Sequence, residues 1–250
     1  MSYPLGRLAG MIGKINSIVI DSADINRLAT FYQGLAGWTE HWTGEDWITL
    51  APPSGPHIAL QLAPDHVPPR WPDSKYPQQA HLDFLVPDRQ AAVARALELG
   101  ATKLEGGGET FTVMADPSGH PFCLCDSDNV EQITLIDYGL DVPNGKAIAP
   151  FYSELLGMPV TYQGDEGAAI GDQDTFMIMF QNVAEFHPPQ WPDPAFPQQF
   201  HLDIGVADVD EAERKVLAMG AKLLQGGTGE RGFRVYTDPV GHTFCLCWGE

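Results

Sequence analysis

The chain has 250 residues and a formal net charge of −19, from 33 acidic and 14 basic side chains. A charge of this sign argues against nucleic acid and anionic membranes as partners, because both are bound through basic patches. The apolar runs are only strand-length and residues 1–12 lack the pattern of a signal peptide. We therefore predict a cytoplasmic protein with no transmembrane segment.

The first part of the chain predicts a strand, a helix and three more strands. An apolar run at 15–20 is typical of a strand, while Asp24 is placed to cap the helix and Gly37 to end it. The strands after the helix are predicted at 38–42, 47–51 and 57–62. The proline-rich stretch 63–79 is too long for a tight turn, which predicts a crossing loop.

The same order of elements follows at once. A strand is predicted at 81–86, and a helix begins after Asp88 and ends near Gly100. Three strands follow, at 101–104, 111–115 and 121–125. Asp116 opens the turn between the last two strands, and His120 follows the glycine of that turn, where we expect a surface histidine.

All of these features then recur. His81-Leu82-Asp83 returns after 120 residues as His201-Leu202-Asp203, and the segment 116–125 returns as 238–247. A period this long indicates a duplicated domain rather than a solenoid of short repeats. We therefore predict an N-terminal extension over 1–12 and two α+β domains, at 13–127 and 131–250, each long enough to bury its own core.

Strand alternation sorts the polar residues onto one side of the sheets. His81 and Asp83 share one face of their strand, and the apolar residues between them suit packing under a helix. The four cysteines form two Cys-x-Cys pairs, which are poorly spaced for disulfides, so we predict free thiols. We expect Cys123 and Cys245 to lie on the same concave faces as the histidines.

These motifs together resemble the vicinal oxygen chelate superfamily, which includes glyoxalase I, bleomycin-resistance proteins and extradiol dioxygenases. The resemblance rests on a helix ending in Phe-Tyr-x-x-Leu, a strand opening His-Leu-Asp and a closing Asp-Pro-x-Gly-x-x-Phe. It implies that each domain pairs two βαβββ units into an eight-stranded open cup with helices outside. Domains of this group often pair to complete a cup, which a tandem chain can do internally. The resemblance therefore implies a monomer or a loose homodimer.

The resemblance also assigns candidate metal ligands, because metal-dependent members use residues from the first, fourth, fifth and eighth strands of a cup. These positions are Ser17, Gln61, His81 and Cys123 in the first domain, and Asp137, Gln181, His201 and Cys245 in the second. Cysteine replaces the family's acid at both last positions, and serine is a poor ligand. The resemblance therefore favours no cofactor, with a divalent metal such as zinc as the alternative in the second domain.

Two functions remain open. The first is binding of a small apolar or aromatic molecule in one or both cups, without metal, by residues that include His81, Asp83, Gln61, Cys123, Gln181, Cys245, Trp71 and Trp191. The second is a metal-dependent lyase, isomerase or dioxygenase acting on vicinal oxygens. Its active cup would be in the second domain, with His201 and Asp203 as acid/base groups.

The tryptophans leave further alternatives open. Trp71 and Trp191 stand in the proline-rich loops, where they can act as lids over the cups or as plugs at the sheet edge. Trp38, Trp42 and Trp47 crowd the first half-domain, where we expect core or interdomain packing.

Overall fold

The computed structural model describes residues 11–70, 73 and 75–249. The predicted order of elements is confirmed in this part of the chain. The first repeat contains β1 (Lys14–Ser22), α1 (Ile25–Ala36), β2 (Thr39–Thr43), β3 (Trp47–Ala51), β4 (His57–Leu62), β5 (Ala80–Val86), α2 (Arg89–Glu98), β6 (Thr102–Lys103), β7 (Phe111–Ala115) and β8 (Pro121–Asp126). The second repeat contains β9 (Thr134–Val142), α3 (Gly145–Leu156), β10 (Val160–Gln163), β11 (Gly167–Asp172), β12 (Phe176–Asn182), β13 (Phe200–Gly205), α4 (Val209–Ala218), β14 (Lys222–Gln225), β15 (Gly232–Thr237) and β16 (Thr243–Trp248).

The helix ends follow from local chemistry. The carboxylate of Asp24 accepts a hydrogen bond from the backbone N–H of Arg27 at 2.9 Å, and Gly37 ends α1 in the left-handed conformation at φ 68°. Asp88 caps α2 in the same way. The sequence pattern of α2 predicts one apolar side that includes Ala92 and Leu97, but only Ala92 is buried and Leu97 is 48% exposed.

The two repeats exchange halves to build the sheets. One eight-stranded sheet has the order β14-β15-β16-β13-β1-β4-β3-β2, and the other has the order β10-β11-β12-β9-β5-β8-β7-β6. We call the concave faces of these sheets the first cup and the second cup. The exchange is sealed by antiparallel pairing of β1 with β13 and of β5 with β9. Each cup therefore combines one βαβββ unit from each repeat.

This topology corrects the expectation that each repeat has a core of its own. The helices lie outside the cups, on the opposite faces of the sheets. Helix α1 packs on β3 and β4 of the first sheet. From the same helix, Phe31 contacts Phe122 with ring centroids 5.8 Å apart, and Tyr32 lies 6.3 Å from Phe84, both in the second sheet. One continuous core consequently joins both sheets and all four helices of the described chain.

The loops before β5 and β13 meet in a reciprocal contact. The backbone N–H of Gln79 donates to Oε1 of Gln199 at 2.9 Å, and the N–H of Gln199 donates to Oε1 of Gln79 at 2.9 Å. The side-chain amides then donate to the carbonyls of Pro197 and Pro77, respectively. Both glutamines are buried. This exchange of hydrogen bonds fixes the two repeats together next to the first residues of the cups.

The turn motif shared by the repeats has a structural role. The buried carboxylate of Asp116 accepts hydrogen bonds from the hydroxyl of Tyr32 at 3.0 Å and from the backbone N–H groups of Ser118 and His120. The ring of His120 lies 3.1 Å from the same carboxylate. The expectation of a surface histidine is wrong, because His120 is fully buried and its counterpart His242 is 3% exposed.

Within the described residues, no helix is long and apolar enough to span a bilayer.

Candidate functional site

The first cup contains a cavity of about 500 Å³. This size falls in the range of small-molecule sites. Its walls carry Trp47 from β3, Trp191 from the proline-rich loop, and Phe233 and Trp248 from β15 and β16. Its polar lining groups are Gln61, Gln198, His201, Asp203, Gln225, Arg231 and Thr243. The cavity therefore combines an aromatic wall with a few polar groups that can orient a ligand.

A short hydrogen-bond chain positions His201 in the cavity. The hydroxyl of Thr243 donates to Oε1 of Gln198 at 2.8 Å, and Nε2 of Gln198 lies 3.1 Å from Nδ1 of His201. On the other side of the ring, Nε2 lies 3.5 Å from Asp203. Asp21 is 4.0 Å from Nδ1, and its Oδ1 is buried without a hydrogen-bond partner. The imidazole is thus held between an amide and two carboxylates.

These neighbours set the charge of the first cup. Burial disfavours the imidazolium, but the hydrogen bond to Asp203 and the attraction of Asp203 and Asp21 outweigh it and raise the pKa of His201. Burial raises the pKa of Asp21, and the nearby His201 partly offsets that effect. The neighbouring carboxylates therefore favour the protonated form of His201.

All four cysteines are free, as predicted. Cys245 and Cys247 line the first cup, which confirms the predicted orientation of Cys245. Burial, followed by the repulsion of Asp203, raises the pKa of Cys245 well above its usual value. Burial and the repulsion of Asp83 and Asp137 raise the pKa of Cys125 to about 12. Cys245 and Cys125 therefore differ from the low-pKa cysteines of reactive sites.

The second cup holds a related but more acidic cluster. Ligand atoms of His81, Asp83 and Cys123 lie within 4.8 Å of one another, as do those of His201, Asp203 and Cys245 in the first cup. Asp137 of β9 is the direct cross-strand neighbour of Asp83. At the corresponding position of the first cup, Ser17 faces Asp203. The second cup therefore has one carboxylate more than the first at this level.

That additional carboxylate is poorly compensated. Burial and the repulsion of Asp83 raise the pKa of Asp137 well above its usual value. In the described chain, the imidazole of His81 lies 3.7 Å from Asp83, and no basic group lies within ion-pair distance of Asp137. Oδ1 of Asp83 is also buried without a hydrogen-bond partner. Asp137 accepts one hydrogen bond, from the backbone N–H of Met179 at 3.2 Å, so the described part of the second cup presents one unsatisfied acceptor atom, Oδ1 of Asp83, that a cation could contact.

The two histidines also have different surroundings. The ring of His81 occupies the space above Gly139, where a Cβ would collide with the imidazole. Val19 stands opposite His201 at the same register position of the first cup. Gln78 lies 3.4 Å from Nδ1 of His81 and donates to Asp141 at 3.1 Å. The duplication thus keeps the His-Leu-Asp motif in both cups, whereas the residue opposite each histidine on the neighbouring strand differs.

The exchange of halves corrects the predicted ligand sets. Asp137 and Gln181 lie on β9 and β12 of the second cup, whereas His201 and Cys245 lie on β13 and β16 of the first. The four-residue metal set expected for the second domain is therefore divided between two sheets. In the same way, Ser17 and Gln61 share a cup with His201 and Cys245, and not with His81 and Cys123.

The tryptophans have separate positions. Trp191 borders the cavity and packs on Val235, Cys245 and Cys247, and Trp47 is half-buried at the cavity wall. Trp38 is in the core as expected, but Trp42 is 53% exposed, which contradicts the expected core packing. Trp71, which was expected as a lid or plug, lies outside the described residues.

Sequence reasoning missed Asp21, Gln198 and Thr243, which surround His201. Asp21 recurs as Asp141 and Gln198 corresponds to Gln78 at the 120-residue offset, so the repeat carried a usable signal for both. Thr243 has no such signal, because Pro121 replaces it in the other repeat.

Solved structures share this fold. Glyoxalase I from Zea mays aligns with a TM-score of 0.66 and 17% identity, over 94% of this chain and 92% of that chain. A putative dioxygenase from Bacillus subtilis subsp. subtilis str. 168 aligns with a TM-score of 0.61 and 14% identity, over 96% and 86%. At these identities the likeness shows the fold alone. No curated protein matches the chain.

Paired βαβββ units that close two cups are the fold that this chain shares with glyoxalase I from Zea mays. The family model of the glyoxalase-like domain matches residues 17–125 and again residues 137–247. The chain therefore belongs to the glyoxalase-like domain family, with two copies in tandem.

Proposed function

We propose that the chain binds a small aromatic molecule in the first cup, and that this cup works without a metal ion. The observation that carries the proposal is the cavity of about 500 Å³ with aromatic walls. Aromatic side chains offer large contact areas with little conformational entropy to lose. The adjacent polar groups suit a ligand with one or two hydrogen-bonding substituents.

A comparison of the cups supports this assignment. Trp47 of the first cup corresponds to Gly167 in the second, and Trp248 corresponds to Asp126. Both tryptophans line the cavity of the first cup, and neither has an aromatic counterpart in the second, which supports an aromatic ligand of the first cup. His201 and Asp203 would contact the bound molecule, and their role as acid/base groups remains a prediction.

The wall is tested by replacing Trp47 with alanine. We expect the Trp47→Ala variant to bind naphthamide, a neutral aromatic probe, roughly tenfold more weakly, because about 1.4 kcal/mol of ring contact is lost. Isothermal titration calorimetry measures the change. Trp42→Ala on the neighbouring strand is the matched control, since Trp42 is exposed outside the cavity. Equal affinities of the two variants would contradict the proposal.

A second candidate function, divalent-cation binding, is favoured by the second cup. His81, Asp83 and Cys123 supply nitrogen, oxygen and sulfur donors, and Asp137 adds a carboxylate. This donor set fits a borderline ion such as zinc. The buried, unpartnered Oδ1 of Asp83 supports the fit. A bound ion of this kind would supply a Lewis acid.

The first cup fits an ion less well. Ser17 replaces the additional carboxylate, and His201 is already paired with Asp203 and Asp21. A histidine whose neighbours favour the protonated form is a weaker metal ligand, because coordination requires the neutral ring.

Zinc should stabilise the whole chain through the second cup. At free zinc about 100 times its Kd, we expect the melting temperature to rise by roughly 5–10 °C. Cys123→Ser should abolish the rise, whereas Cys245→Ser, the matched change in the first cup, should retain it. Differential scanning calorimetry with and without a chelator measures both. An equal loss in the two variants, or no rise in the unaltered chain, would contradict a site in the second cup.

A further inference from the structure

We infer that the ligand of the first cup is an aromatic molecule with an acidic substituent, and that Arg231 binds this substituent at the mouth of the cavity. The inference rests on the proposed function and specifies its ligand class. The mouths of the two cups carry opposite charges at one position. Arg231 lines the first cavity, and the corresponding residue of the first repeat is Glu109.

Contacts within the chain hold the mouth of the first cup in a defined shape. Nε1 of Trp248 donates to the carbonyl of Gly229 at 3.0 Å, which fixes the indole. A Cβ at Gly232 would lie 3.0 Å from the indole ring, so glycine leaves room for the ring beside the strand. The corresponding residues of the first repeat, Asp126 and Thr110, provide neither the ring nor this space.

Two arginines lie near the mouth of the first cup, with different roles. The guanidinium of Arg234 lies 5.5 Å from the centroid of the Trp248 ring and is bound by Asp210 at 2.8 Å and by Glu213 at 3.3 Å. Its charge is therefore compensated, and its contribution is to support the indole. Arg231 forms no ion pair within the described part of the chain, although the net charge of the protein is −19.

The position of Arg231 is also restricted. A Cβ at Gly249 would lie 2.7 Å from Cγ of Arg231, which places the stem of the side chain against the end of β16. The exposed guanidinium stands at the rim of a cavity whose lining carboxylate, Asp203, already lies 3.5 Å from the imidazole of His201. A carboxylate, sulfonate or phosphate on a ring held between the tryptophans would meet an arginine able to bind it by two parallel hydrogen bonds.

Three probes that share the naphthalene ring system separate the effect of the substituent from that of the aromatic contact. Naphthoate is anionic, naphthamide is neutral and naphthylmethylamine is cationic. By calorimetric titration of the full chain, we expect naphthoate to bind roughly tenfold more tightly than naphthamide, and the amine to bind most weakly. The preference for naphthoate should shrink as salt rises from about 0.1 M to about 1 M, because the mouth is open to solvent.

Substitutions of Arg231 test whether this residue causes the preference for naphthoate. Arg231→Gln should reduce naphthoate affinity roughly tenfold and leave naphthamide affinity unchanged within twofold. Arg231→Glu, which installs the residue of the other repeat, should make naphthoate the weakest of the three probes. Arg214→Gln on α4 is the control, because it changes the net charge equally from an exposed position outside the cavity.

Each other outcome has a defined meaning. If naphthamide and naphthoate bind equally well, the proposed aromatic site stands and the acidic substituent is wrong. Tightest binding of the amine, or an equal loss from Arg214→Gln, also overturns the inference. If none of the three probes binds, the proposed function is wrong and the inference falls with it.

Discussion

Neither repeat should form a folded monomer when it is expressed alone. Residues 13–127 contain β1 and β5, whose antiparallel partners β13 and β9 belong to the other repeat. Both strands occupy the middle of an eight-stranded sheet, and they are apolar on the helix-facing side. An isolated repeat would therefore expose two long unpaired edges together with half of a shared core.

The expected product is a dimer of the isolated repeat. Since β5 and β13 have the same His-Leu-Asp motif, β1 of one copy can pair with β5 of a second. Light scattering after size-exclusion chromatography should give twice the fragment mass for residues 13–127. Equimolar mixing with residues 131–250, after joint unfolding and refolding, should yield a one-to-one complex with the melting temperature of the intact chain.

The intact chain is the control for this experiment. A monomeric fragment that unfolds cooperatively would show that a repeat can close a cup alone, which contradicts the exchanged sheets. If each fragment aggregates alone but the two fold when they are coexpressed, the result would agree with sheets that combine strands from both repeats.

Local patterns in the sequence were sufficient for the order of the elements and for the faces of the strands that carry the histidines. The capping of α1 by Asp24 and the alternation of His81 and Asp83 depend on short-range geometry, which the residues specify directly. The partner of β1 was not determined in this way. Strands β5 and β13 offer nearly identical edges, so pairing within a repeat and pairing between repeats satisfy the same alternation.

This ambiguity explains the misassigned ligand sets. Each set drew its first two positions from one βαβββ unit and its last two from the next unit of the same repeat. The exchange keeps each unit intact and changes its partner, so Asp137 joins His81 and not His201. The differences between the repeats became informative only once this pairing was known. With it, the additional aromatic residues fall in one cup and the additional carboxylate falls in the other.

The turn motif illustrates a second limit. Asp116 and His120 recur as Asp238 and His242, which would equally suit an active site or a structural element. Burial and hydrogen bonding separate the two alternatives. The carboxylates of Asp116 and Asp238 accept hydrogen bonds from Tyr32 and Tyr152, respectively, inside the core. The motif therefore stabilises the fold behind the cups, and its recurrence reflects the duplication of the fold.

Replacing Asp116 with alanine should cost about 3–5 kcal/mol of the free energy of unfolding. The change leaves the hydroxyl of Tyr32 and two backbone N–H groups in the core without their acceptor. The protein should remain folded only if its total stability exceeds this loss. Chemical denaturation measures the difference. Asp88→Ala is the control, since it removes an exposed helix-capping carboxylate worth about 1 kcal/mol.

The same carboxylate should make stability depend on acid pH. Burial alone would raise the pKa of Asp116, but the neighbouring His120 and the backbone N–H groups outweigh burial and lower it. A folded-state pKa below the unfolded value means that ionised Asp116 stabilises the fold above about pH 4. This contribution is lost as the pH falls through the lower, folded-state pKa.

Asp116→Asn should therefore flatten the acid limb of a plot of unfolding free energy against pH, while Asp88→Asn should change it much less. An unchanged acid limb in Asp116→Asn, or an Asp116→Ala variant no less stable than Asp88→Ala, would show that the buried carboxylate does not hold the turn.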